Sequence, residues 1–223
     1  MLICDSSSLI SLSTTGLIGC LVILKRDLGK IYLTPSVVNE CIEKPLRIPA
    51  YSLSAVRLKR ALNEKIFEVV RPSEKNTYEI LTYFNSILIE KKTKKPIHLI
   101  HLGEAEILAA AIENKINYIL IDERTTRTVV ENIEGLRRHL SEELNTELNI
   151  NEYSHSKIIE MTKNINFIRS SEIVALSYEK NYFKKFRELE KDAFKAALYA
   201  TKFAGCAIGF DEINEILLEE GIK

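Results

Sequence analysis

Leu2-Ile3-Cys4-Asp5-Ser6 is a short apolar run that ends on a carboxylate, with serines following. So short and continuous a run, with no polar alternation, fits a parallel strand buried on both faces. The same pattern returns at Tyr118-Ile119-Leu120-Ile121-Asp122. Segments 30–33, 67–70 and 166–168 are further short runs rich in Ile, Val, Phe and Tyr. Helical periodicity covers 10–26, 35–42, 53–63, 76–91, 104–114 and 125–133. Strands alternating with helices predict an α/β fold: a parallel central sheet built from right-handed βαβ units. Such sheets bind ligands beyond the carboxyl ends of their strands. Asp5 and Asp122 stand at that edge.

Two more acids join them from helices. Thr34-Pro35-Ser36-Val37-Val38-Asn39-Glu40 begins with an N-cap residue and a proline at the first helical position. Val37, Val38 and Cys41 form its packed stripe, and Glu40 sits at the stripe's edge. In His101-Leu102-Gly103-Glu104-Ala105-Glu106, a rotation of about 100° per residue groups Glu104 with Ile107, Leu108 and Ala111. Glu106 falls with Ala109 and Ala110, on the face expected to meet water. Acids scattered in sequence but placed at element ends can converge, and clustered carboxylate oxygens hold hard divalent cations. Each acid also has a plainer use. Asp5 and Asp122 can cap the next helix, Glu104 can complement a helix dipole, and Glu40 can be solvated.

The chain has 223 residues, 46% of them hydrophobic, enough for one substantial core. Lys plus Arg equals Asp plus Glu at 31 each, so any affinity for nucleic acid must come from local patches. Arg124 and Arg127 lie just past Asp122, placed to meet a phosphate backbone. The runs 91–95 and 57–60 are also basic. The cysteines (Cys4, Cys20, Cys41 and Cys206) are dispersed, which predicts a reduced, cytoplasmic protein. The apolar start lacks a basic leader, and the stretch 17–24 is too short to span a bilayer. His98 and His101 lack a third soft ligand at metal-site spacing. Cys41 has no neighbour in sequence that would activate it as a nucleophile.

The polar segment 135–163 reads as an insertion of two helices projecting from the sheet. Helices are expected over 170–179, 186–203 and 211–220, with Gly205 and Gly209 between the last two and Asp211 capping the final one. The implied divisions are a core of 1–134, the insertion 135–163, a last strand and helix at 164–183, and a helical extension over 184–223.

With these motifs in order, the chain resembles the PIN-domain nucleases, in particular a prokaryotic, largely archaeal, VapC-like branch. The resemblance rests on Asp5-Ser6 with Leu9-Ile10, on Pro35-Ser36-Val37-Val38-Asn39-Glu40, on Glu104-Ala105 with the run 108–111, and on Ile119-Leu120-Ile121-Asp122. It spans 1–134 and resumes at 165–183. It implies a three-layer α/β/α fold and a metal-dependent endoribonuclease. Asp5, Glu40, Glu104 and Asp122 would be both catalytic groups and ligands of Mg2+ or Mn2+. Ser6 would hydrogen-bond the phosphate or a water on the metal. Implied partners are single-stranded or structured RNA, an antitoxin or other protein, and a second copy of the chain. A membrane is not among them. Three departures stand out. The third acid is Glu where Asp is commoner, and the site of a further family acid holds Arg124. Glu123, beside it, would face away if the strand persisted. The added segments also exceed a minimal toxin of this fold. The rival class is a catalytically weak PIN-like module that binds RNA or protein.

Overall fold

The structure, a computed structural model, describes residues 1–222. Five short strands make the central sheet: β1 (Leu2–Cys4), β2 (Ile31–Leu33), β3 (Phe67–Val69), β5 (Tyr118–Leu120) and β7 (Asn166–Ile168). They are the segments expected from the apolar runs. Every neighbouring pair is parallel, in the order β3-β2-β1-β5-β7. Leu2, Ile3 and Cys4 are fully buried, as a strand covered on both faces requires.

Strand order dictates which face each helix takes. The chain steps outward from β1 to β2 and β3 through α1 (Ser6–Thr14), α2 (Ile18–Leu28), α3 (Pro35–Val38) and α4 (Pro49–Asn63). It then returns across the sheet to β5 and β7 through α5 (Glu74–Phe84), α6 (Leu102–Glu113), α7 (Arg124–Glu131), α8 (Ile133–Glu143) and α9 (Glu152–Thr162). With right-handed crossovers, outward and return connections lie on opposite faces, giving the expected three layers. α6 packs on β1 and β5 and is covered by α5, while α1 packs on α2 and α4. The direction reverses between β1 and β5, the switch point where open α/β sheets place their ligand crevice.

Several expectations need correction. The helix expected over 10–26 is two helices, broken at Gly16, whose φ of +77° suits glycine. The helix expected over 76–91 ends at Phe84. Asn85 then turns its side chain to Leu99 and Ile100, accepting both N–H groups and donating to the Ile100 carbonyl. The remainder of that stretch forms β4 (Leu88–Glu90), paired antiparallel with β6 (Leu148–Ile150) in a second, two-stranded sheet. β6 falls within 135–163, so that segment is not two bare helices. Nor does it project: α9 packs on α5, α6 and α7, burying Ile158 and Ser154.

The C-terminal helices are α10 (Ser170–Glu179), α11 (Glu190–Phe203) and α12 (Phe210–Glu219). The helix expected from 186 begins instead as a 3₁₀ segment, Tyr182–Leu189, kinked at Arg187 with φ +53°. Asp211 lies inside the first turn of α12, not at its cap, which is Gly209. Phe194 and Leu198 are fully buried, and the Phe194 ring stacks on Tyr178 of α10 with centroids 4.2 Å apart. Burying each such side chain is worth about 1.5–3 kcal/mol, so α11 is part of the core. Among the described residues no helix is long and apolar enough to cross a membrane.

Candidate active site at the carboxyl edge of the sheet

Parallel register sets the ends of β1 and β5 side by side. Cys4 pairs with Leu120, and the Asp5 N–H donates to the Leu120 carbonyl at 2.8 Å. Asp5 leaves the sheet as the N-cap of α1. Its Oδ2 accepts from the Ser7 N–H at 2.9 Å and from the Ser7 hydroxyl at 2.5 Å. Capping is therefore one of its roles. It is only 8% exposed, and burial pushes its carboxyl above the usual range. The Ser7 and Ser6 bonds oppose that rise, and the Glu40 charge adds to it.

Glu40 arrives by a device the sequence pattern hid. Thr34 caps α3 as expected, its hydroxyl accepting from the Val37 N–H at 3.4 Å. The helix then widens into a π turn over Asn39–Glu43, closed by the Lys44 N–H to the Asn39 carbonyl at 2.9 Å. Such bulges re-aim side chains and recur at functional sites. Glu40 Oε2 accepts the Ser6 hydroxyl at 2.5 Å. A methyl group placed on Gly103 would lie 3.6 Å from Glu40 Oε1, so this carboxylate stands over the first turn of α6.

Glu104 belongs to that turn. Its Oε2 accepts the His101 N–H at 2.8 Å, and Oε1 accepts the Thr126 hydroxyl at 2.9 Å. Burial raises its carboxyl first, then the charges of Glu123 and Asp5, against the lowering effect of those bonds. Glu123 was expected to face away. β5 stops at Leu120, however, so strand alternation does not reach it. Glu123 caps α7 through the Thr125 and Thr126 N–H groups, with its charge felt at Glu104.

Asp122 is 2% exposed and directed elsewhere. Its Oδ1 accepts the Ser170 N–H and its Oδ2 the Ser170 hydroxyl, both at 2.7 Å. A buried carboxylate thus holds the first turn of α10, where the helix dipole favours negative charge. Asp5 thus feels the charge of Glu40, and Glu104 feels those of Glu123 and Asp5, while Asp122 is tied to α10. As they lie, no three His, Cys, Asp or Glu side chains among the described residues are grouped to hold a metal ion. The donors fit a hard cation in kind: all are carboxylate oxygens, and burial together with like charge holds Asp5 and Glu104 in the protonated direction.

The remaining candidates resolve individually. Arg124 and Arg127 line a cavity with Arg169 and Lys202. The 91–95 run forms an exposed turn after β4, with Lys91 paired to Glu147 at 2.7 Å. Near 57–60, Arg57 donates to the Ser13 carbonyl, Lys59 pairs with Glu43 and Arg60 with Glu64. His98 and His101 are exposed. Cys41 is buried and its thiol is pushed up to about 12, chiefly by burial, so it is a core residue. Glu106 does not face open water as expected. It accepts the Ser36 N–H at 3.1 Å, while Ala109 and Ala110 are fully buried, because α5 covers the outer face of α6.

Sequence reading set Glu123 aside as facing away and missed Thr126, Ser170, Arg169 and Lys202. No local pattern in the sequence pointed to the last four. A comparison with curated proteins gives no match. A family model described as PIN domain matches residues 1–139, which is more than half of the chain. Together with the five-stranded parallel sheet and its two helical layers, that match places the chain in the PIN-domain family.

Proposed function

We propose that this protein is a metal-dependent endoribonuclease that hydrolyses phosphodiester bonds of RNA, with Mg2+ or Mn2+, at the site framed by Asp5, Glu40, Glu104 and Asp122. PIN domains are generally nucleases, typically use divalent metals and act on nucleic acid, which supplies the coarse assignment. The observation that supports the finer one is geometric: Asp5 ends β1 at the sheet's switch point, Glu40 is joined to Ser6 beside it, and Glu40 stands over the α6 turn that holds Glu104. Burial and neighbouring acids push the Asp5 and Glu104 carboxyls up. Such mutual repulsion is relieved by a cation.

In this reading Asp5, Glu40 and Glu104 hold the ion, with Glu123 beside Glu104 and Asp122 fixing the adjoining backbone. Bound there, a divalent cation supplies charge neutralisation at the phosphoryl oxygens and makes the attacking water more acidic. The Ser6 hydroxyl fixes one oxygen of Glu40, while His101 N–H and Thr126 fix Glu104. Preset orientation of this kind limits the reorganisation needed at reaction. Water adds to phosphorus, the bond to the leaving ribose oxygen breaks, and that oxygen takes up a proton. The catalytic unit is then 1–134 with 164–183, to which 135–163 and 184–223 are additions. A cytoplasmic setting accords with the four free, buried cysteines.

A second reading, a weakly catalytic PIN-like module that binds RNA or protein, has one observation in its favour. Ile48, Tyr51, Leu53 and Val56, on α4 and at its start, are all exposed, an apolar face suited to an antitoxin, another protein or a second copy. Calorimetric titration of metal-free protein with Mn2+ separates the two readings. Binding that is lost in Asp5→Asn supports the nuclease, while binding unchanged in that variant removes the assignment. Growth arrest on expression tests the narrower toxin role.

A further inference from the structure

The C-terminal extension walls a cavity of about 500 Å³ that the acids do not occupy. Arg124 and Arg127 enter it from α7, Arg169 from the end of β7, and Lys202 from α11, while Glu212 is the one acid on its wall. Charge there is only partly neutralised. Arg169 is paired with Glu172 at 3.1 Å and Glu212 at 3.0 Å. Arg127 lies 3.4 Å from Glu131, and its Nε is buried without a hydrogen bond. Among the described residues Arg124 and Lys202 have no carboxylate partner; Lys202 donates to the Ile208 carbonyl.

Exposed aromatic rings stand at the rim. Phe203 is 76% exposed and Phe210 is 53% exposed, with centroids 6.3 Å apart, and Lys202 Nζ lies 4.3 Å above the Phe210 ring. Packing alone would bury such rings, because each removes a large apolar area from water. A cationic pocket beside open aromatic faces is what single-stranded nucleic acid requires: phosphates seek the charge, and bases of any sequence stack on the rings.

The pocket also adjoins the acids. α7 sends the Thr126 hydroxyl to Glu104 and Arg124 and Arg127 into the cavity. The Ala207 N–H on the cavity wall donates to the Asp122 carbonyl at 3.3 Å. The two sites thus share α7 as a common wall. We propose that this cavity is a single-strand nucleotide subsite. A backbone phosphate sits among Arg124, Arg127 and Lys202, and the neighbouring base stacks on Phe203 and Phe210. The subsite deepens the nuclease reading and rests on it only for what happens to the bound strand.

The test is fluorescence anisotropy of the full chain in chelator, which silences cleavage, with a labelled single-stranded oligoribonucleotide, its DNA counterpart and an RNA duplex. Phe210→Ala should weaken single-strand binding about tenfold. Arg124→Gln should lower the magnitude of the salt slope by about 0.7. Leu218→Ala, an exposed change on the same helix as Phe210, should do neither. Loss on RNA alone or on both polymers supports the subsite and states its preference. Unchanged affinity in a Phe203→Ala/Phe210→Ala double variant that melts like the parent overturns it. That outcome leaves the nuclease reading intact, since it is judged by Asp5→Asn and metal.

Discussion

Ser170→Ala isolates one bond on which the account of Asp122 depends. The Ser170 hydroxyl is fully buried and donates to Asp122 Oδ2 at 2.7 Å, while the Ser170 N–H serves Oδ1 at the same distance. Alanine removes the first bond and keeps the second, leaving one oxygen of a buried carboxylate without its partner. A hydrogen bond to a charged group contributes about 1.5–3 kcal/mol, and leaving such a group unsatisfied costs a similar amount. The expected loss is about 2 kcal/mol. For a chain of this size that is a fall in Tm of roughly 4–8 °C. Urea titration of parent, Ser170→Ala, Asp122→Asn and the double variant should show coupling of about 1–2 kcal/mol between the two sites. A Ser170→Ala variant within about 0.5 kcal/mol of the parent, or additive changes, would refute the claim that Asp122 anchors α10.

Glu104→Gln should stabilise the metal-free protein at neutral pH, because the amide oxygen accepts the His101 N–H and the amide NH2 donates to the Thr126 hydroxyl, without the repelled charge. The raised Glu104 carboxyl means the folded state binds its proton more tightly than the unfolded chain does. Stability from this group is therefore fully present below the unfolded value of about 4.3 and declines as pH rises through the folded one. Melting curves against pH should show the gain of Glu104→Gln vanishing at the acid end; a gain that persists there contradicts the reasoning. Glu123→Gln should weaken Mn2+ affinity about tenfold by calorimetry, as loss of a supporting group does, and unchanged affinity would remove Glu123 from the site. All four cysteines are buried and free, so a thiol reagent should label native protein slowly and fully only in denaturant. Rapid labelling of Cys41 in the folded state would contradict its burial.

An element is legible in the sequence to the extent that its own residues dictate it. β1, β2 and β5 lie inside the central sheet and are largely buried, so their apolar runs stand out. The edge strands β3 and β7 are partly exposed and show only through their Phe, Val and Ile. β4 and β6, reading Leu-Ile-Glu and Leu-Asn-Ile, lie outside that sheet and pair with each other, with one further bridge from Ile89 to Pro96. Nothing in so few residues separates them from the end of a helix. The acids at strand ends were legible because parallel topology alone carries them to one edge. The π turn under Glu40 was not, since Val37 and Cys41 are spaced as an α-helix would space them. Glu123 was misdirected by assuming that β5 persists beyond Leu120. Arg169 and Lys202 reach the Arg124 cavity only through tertiary packing of α10 and α11, which no local pattern encodes.

The most direct test of the central claim is cleavage of a labelled single-stranded RNA by pure protein with Mn2+, Mg2+ or chelator, beside Asp5→Asn. The account predicts cleavage with either metal, none in chelator, and none in a folded Asp5→Asn variant. Cleavage that persists in chelator or in Asp5→Asn would contradict it.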